Sequence, residues 1–171
     1  MIPRKTHSAG RKRALAIRAG EPAPPFRLRD AAGALVSSDA LRRQGPLVVV
    51  FHRGAGCADG EQELSRIRRA VPQLAALGAS VVAISPRPAA SGDGALIVLS
   101  DPLHGVAEQF GLRSRLPADG GGAPPVSALY VISSDGMVIY SEVHRTCDTR
   151  ADPHDAITVL SAQRQRHPKR P

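Results

Sequence analysis

The run LVVVFH, residues 47–52, is apolar almost to its end and is bounded by Gly45-Pro46 and Arg53-Gly54. Such a run predicts a strand buried on both faces, which needs cover from both sides. A long helix follows it. From Ala58 to about Leu77, apolar residues recur at three- and four-residue spacing (Leu64, Ile67, Val71, Leu74, Leu77), with Arg66, Arg68 and Arg69 on the flanks and Gly78 as a stop. A buried strand feeding a helix puts their junction at the carboxyl edge of an open α/β sheet, where such sheets place their chemistry. Cys57 stands at that junction.

The remaining chain continues the alternation. Phe26 to Asp30 and Ala34 to Val36 predict two short strands turning at Ala31-Ala32-Gly33. Ser37, Ser38 and Asp39 look like capping residues for a short helix that ends at Gln44-Gly45. Ser80 to Ser85 and Ala95 to Leu99 are further strands, and Asp101 is expected to begin a helix running through Val106 and Phe110. Residues 114–125 form a Gly/Pro loop, and Gly120 to Gly122 lack the Lys-Ser/Thr of a phosphate-binding loop. Two strands, Ala128 to Ser133 and Met137 to Val143, flank the hairpin signal Ser134-Asp135-Gly136. An amphipathic helix over Asp152 to Gln163 closes the pattern. No internal repeat interrupts this α/β order.

With 171 residues the chain is long enough for one domain and short for two. Only 3% of its residues are aromatic, so the core must be built from Leu, Val, Ile and Ala. The formal net charge of +8 is carried by the ends. Residues 1–20 hold six basic side chains and 163–171 hold four, none opposed by an acid, leaving thirteen basic against fifteen acidic residues between them. The predicted organisation is therefore a basic, disordered tail over 1–19, a domain over 20–162 and a basic tail over 163–171. Such tails solubilise, and they also allow weak nucleic-acid contact by counterion release. No apolar run is long enough to cross a bilayer, and the basic N-terminus is not followed by the apolar stretch of a secretory signal. Two cysteines, Cys57 and Cys147, are too few for a secreted disulfide framework. A reducing, cytoplasmic setting is expected, and the excess of Arg and Ala over Lys suggests a bacterial origin.

The segment FHRGAGCADGEQEL, 51–64, resembles the strand–loop–helix of the bacterial peroxiredoxin-like branch of the alkyl hydroperoxide reductase/thiol-specific antioxidant superfamily. That branch reads F-x-R-G-x-W-C-P-x-C, followed by a helix with E-L. Four further segments resemble the family in the same order: GEPAPPFRLRDAAGALVS (20–37), LGASVVAISP (77–86), VLSDPLHGVAEQFGL (98–112) and PVSALYVISSDGMVIY (125–140). Together they span roughly 20–160. The resemblance implies a thioredoxin-like three-layer sandwich, with a central mixed sheet flanked by helices.

It also implies that Cys57 is a catalytic thiolate, peroxidatic or disulfide-reducing, with Arg53 as the cation that stabilises it. Peroxide or disulfide would be the substrate, and an external thiol of the thioredoxin, glutathione or other low-molecular-weight type the reductant. Cys147 either resolves the oxidised Cys57 or stays an unpaired thiol. A homodimer is expected by the same analogy. No cofactor, metal or membrane is called for, since His144 and His154 lack metal-ligand spacing with either cysteine. The sequence departs from the family at several positions. Gly60 replaces the second cysteine, Gly56 the tryptophan and Ala58 the proline, and Gly54 stands where typical peroxiredoxins carry threonine. Asp59 adds an acid beside the thiol, and Ser127 occupies the cis-proline position, with Pro125 two residues away. His52 is a candidate proton shuttle beside Cys57, but strand alternation turns it away from the face of Phe51 and Arg53 and favours a packed strand-end residue. Arg113 and Arg115 are a solvated surface by default or hold an anionic substrate. The expected function is thus a thiol-dependent antioxidant oxidoreductase reducing peroxides (or disulfides). The alternative is a catalytically degenerate redoxin-fold module that serves as a binding protein.

Overall fold

The structure, a computed structural model, describes residues 15–52, 58–87, 96–112, 126–144 and 151–166, with the side chains of α2 described from Gln62. In chain order the elements are β1 (Arg27–Asp30), β2 (Leu35–Ser37), α1 (Ser38–Arg42), β3 (Leu47–Phe51), α2 (Ala58–Ala76), β4 (Ser80–Ser85), β5 (Leu96–Ser100), α3 (Gly105–Gln109), β6 (Ser127–Ile132), β7 (Val138–His144) and α4 (Pro153–Arg166). The strands form one seven-stranded mixed sheet in the order β2-β1-β5-β4-β3-β6-β7. β3, β4 and β5 are mutually parallel, whereas β6 runs antiparallel to β3 and β7 antiparallel to β6. The carboxyl ends of β3, β4, β5 and β7 therefore share one edge.

β3 is the centre of the molecule because its pleat feeds two cores. Val48 and Val50 pack with Leu64, Ile67, Val71 and Leu74 of α2 and with Ala156 and Leu160 of α4. Leu47, Val49 and Phe51 point the other way, into a second core with Phe26, Val106, Phe110 and Tyr130. Helices on both faces satisfy the two-sided apolar demand of the run at 47–52 and give the sandwich three layers. The few aromatic residues are concentrated in the second core. Phe110 lies 5.1 Å from Phe51 and 5.0 Å from Tyr130, centroid to centroid, in tilted and edge-on geometry. Each such pair contributes about 0.5–1.5 kcal/mol beyond its buried area.

Several local expectations are corrected by side-chain hydrogen bonds. Ser38 does not cap α1; it is the first helical residue, and its hydroxyl accepts the Phe26 N–H at 2.9 Å, tying α1 to the start of β1. Asp101 does not begin α3. It stands four residues ahead, and its buried carboxylate accepts the N–H groups of Val106 and Ala107, both at 3.0 Å. Between them His104 takes a left-handed conformation at φ 55°. α2 also tolerates Pro72 in its interior, on the exposed side of the helix, a position that periodicity alone does not reveal. The hairpin between β6 and β7 turns through Ser134-Asp135-Gly136 as predicted, with the Gly136 N–H on the Ser133 carbonyl at 3.0 Å.

The basic tails fall mostly outside the described residues. The last part of the N-terminal one runs along the second core, where the Ile17 N–H donates to the Phe110 carbonyl at 3.2 Å. This close approach requires Gly111, at φ +70°, because a Cβ there would lie 2.2 Å from the Leu15 carbonyl oxygen. At the other end α4 continues beyond Gln163 to Arg166, and Arg164 Nη1 donates to the Ala76 carbonyl at 3.0 Å.

Candidate active site

The polar residues of the site edge sit on the face of the sheet covered by α2 and α4. The register pairs Phe51 with Ala128, so His52 and Ser127 are the next positions along their strands, on the same face as Val50 and Leu129. Ser127 in turn pairs with His144 of β7. Above this row lies α2, which begins at Ala58.

His52 is 1% exposed, and its backbone N–H donates to the Ile84 carbonyl at 3.0 Å, extending β3 by one residue. Burial, and then the positive charge of Arg68 on α2, lower its pKa from 6.5 to about 4. The imidazole is therefore neutral near pH 7 and belongs to the packing, as its place in the alternation predicts.

Glu63 is the residue sequence reasoning missed. It is 3% exposed, and the Ser127 hydroxyl donates to its Oε1 across 64 residues of chain. Few carboxyl groups are this deeply buried, because desolvation is costly without hydrogen-bonding partners. The signal was present in the helix period: Glu63, Ile67, Ala70 and Leu74 fall on one stripe, so the acid stands in an otherwise apolar line.

Beside this pair, the face of β7 carries a second polar group. His144 Nε2 lies 2.6 Å from Glu142 Oε1, and the Tyr140 hydroxyl donates to Asp155 Oδ2 of α4 at 3.0 Å. Burial and these neighbouring carboxylates hold the Tyr140 phenol well above its usual pKa. Among the described residues, no group of three or more His, Cys, Asp and Glu side chains is placed to hold a metal ion. Nor is any helix among them long and apolar enough to cross a membrane.

Cys57 and Arg53, the two predicted catalytic residues, lie outside the described residues, as do Cys147, Gly54, Gly56, Arg113, Arg115 and Pro125. In the chain, Cys57 falls between His52 at the end of β3 and Ala58 at the start of α2. Ser127, at the position given to the cis-proline, is the first residue of β6, and no cis peptide bond occurs among the described residues.

A mixed sheet sandwiched between helices, with α2 following β3 in the chain at its carboxyl edge, defines a thioredoxin-like α/β protein. Within that class the chain matches the AhpC/TSA family over residues 19–141 and belongs to it. Its fold is similar to that of the peroxidoxin BcpB from Mycobacterium tuberculosis, at a TM-score of 0.69 and 24% identity, covering 85% of this chain and 97% of that one. It is also similar to a mutant of the peroxiredoxin 6 of Arenicola marina (TM-score 0.75, 16% identity, 89% of this chain and 76% of that). A thiol peroxidase from Chromobacterium violaceum gives a TM-score of 0.70 at 16% identity, over 88% of this chain and 90% of that. No curated protein sequence matches the chain.

Proposed function

We propose that this protein is a thiol-dependent peroxidase that works through Cys57. The reading is carried by membership of the AhpC/TSA family across the segment that contains Cys57. It is supported by the position of that cysteine in the chain, directly before the first residue of α2. Amide groups at a helix start and a nearby cation both favour a thiolate over a thiol, and Arg53 is the cation the sequence supplies.

In the proposed reaction the Cys57 thiolate attacks one oxygen of the peroxide. A sulfur–oxygen bond forms and the oxygen–oxygen bond breaks. The leaving oxygen takes up a proton and departs as water or an alcohol, leaving Cys57 as a sulfenic acid. With Gly60 in place of a second nearby cysteine, resolution falls to an external thiol or to Cys147. The resolving thiol attacks the sulfenic sulfur and releases water, and a further thiol reduces the resulting disulfide. The reductant is accordingly a thiol of the thioredoxin or glutathione class. We place the protein in the bacterial cytoplasm, where such reductants are maintained, and expect it to work as a homodimer.

Stopped-flow consumption of hydrogen peroxide tests the proposal. The wild-type protein, supplied with a thiol reductant, should turn over peroxide, and Cys57→Ser should not. Consumption unchanged in Cys57→Ser would sink it.

A further inference from the structure

We propose that Glu63 and Ser127 are positioning residues, whose hydrogen bond clamps α2 to the first residue of β6 and so holds the start of α2 in place for Cys57. The proposal rests on the thiolate reading of Cys57 given above. Its foundation is the buried pair itself: a hydroxyl and a carboxyl, 1% and 3% exposed, joined between the site helix and a central strand.

Simple packing does not require this pair. Much of the interface between α2 and the sheet is made by Leu64, Ile67, Val71 and Leu74 against valines and alanines, and apolar contacts of that kind are non-directional. They set the distance between helix and sheet without any directional bond of their own. A hydrogen bond from β6 fixes one point on the helix in both respects. Glu63 is six residues beyond Cys57, about 9 Å along a helix, so this point lies within the first two turns of α2. Its anchor, Ser127, occupies the strand position next to the one that pairs with Phe51, the last residue of β3. The clamp therefore joins both elements that bracket the cysteine in the chain, the end of β3 through the sheet register and the start of α2 through the side chains.

The amide groups of the first turn act on a thiol only if their direction is maintained, since the effect falls off within a turn. Removing the clamp should therefore make the thiol less acidic. The pH midpoint of Cys57 alkylation by iodoacetamide reads this directly and needs no peroxide chemistry; Cys147→Ser serves as the background. In Ser127→Ala and Glu63→Ala the midpoint should rise by about half a unit to one unit. The double variant should rise by less than the sum of the two single shifts, because both remove the same bond. Glu63→Gln keeps an acceptor for the Ser127 hydroxyl and should retain the wild-type midpoint.

Two results overturn the proposal. One is wild-type midpoints in both Ser127→Ala and Glu63→Ala, which reduces the pair to a stability contact. The other is a Glu63→Gln midpoint displaced as far as that of Glu63→Ala, which assigns the effect to charge. Ser127→Ala deletes a single oxygen, so it keeps the test open if Glu63→Ala does not fold. Failure of the wild-type protein to react with peroxide would overturn the peroxidase reading and leave the alkylation result standing.

Discussion

Burial of His52 at the end of β3, and then the positive charge of Arg68 on α2, keep its imidazole unprotonated down to about pH 4. An unfolded chain takes up that proton near pH 6.5, so between the two values the unfolded state binds more protons. Stability from this residue is complete above pH 6.5 and is lost progressively as pH falls to about 4, by roughly 3 kcal/mol in all. Urea denaturation at several pH values across this window should show the loss, and His52→Leu should make the decline shallower by that amount. Equal slopes in the two proteins would contradict it.

Arg53 is expected to act on the rate of peroxide attack more than on folding. Arg53→Gln should slow Cys57 oxidation about 10- to 100-fold and raise the pH midpoint of thiol alkylation, with the denaturation midpoint nearly unchanged. A variant that loses stability without losing rate would remove Arg53 from the site.

Asp101 holds the start of α3, since one carboxylate oxygen receives two backbone N–H groups. Asp101→Ala leaves those donors without that acceptor in a buried position and should cost about 1–3 kcal/mol. Asp101→Asn keeps one carbonyl acceptor and should recover much of the loss. Thermal unfolding of the two variants separates these outcomes.

Gly111 is where the N-terminal segment meets the second core. A methyl group there would collide with the Leu15 carbonyl, and the backbone at φ +70° disfavours any side chain. Gly111→Ala should therefore release residues 15–17 and cost about 1–3 kcal/mol. Hydrogen exchange should show the Ile17 amide, bonded to Phe110 in the wild type, losing its protection.

The order and kind of the elements were legible because each is encoded locally. LVVVFH reads as a two-sided strand from its own composition, and the spacing from Leu64 to Leu77 reads as a helix without knowledge of its partner. Hidden from such a reading were the contacts between distant segments. Ser38 looks like a cap in its own neighbourhood, yet its oxygen serves Phe26 twelve residues earlier. Asp101 carries a capping signal, but the distance to the helix it serves depends on the turn through His104. Ser127 could be assigned a place in the fold by resemblance, whereas its bond to Glu63 depends on how α2 crosses β6. The AhpC/TSA family and thioredoxin-like sandwich drawn from the five segments are those the matched family and the fold display.

The sheet divides the molecule into two compartments with separate tasks. All three phenylalanines and Tyr130 lie in the core away from α2, while Glu63, Ser127 and the apolar stripe of α2 occupy the other. Changes on the side of α2 can alter the carboxyl edge of the sheet without loosening the aromatic packing behind it. This partition gives the fold room to diversify chemically: one side can be rewritten, residue by residue, while the other continues to hold the chain together.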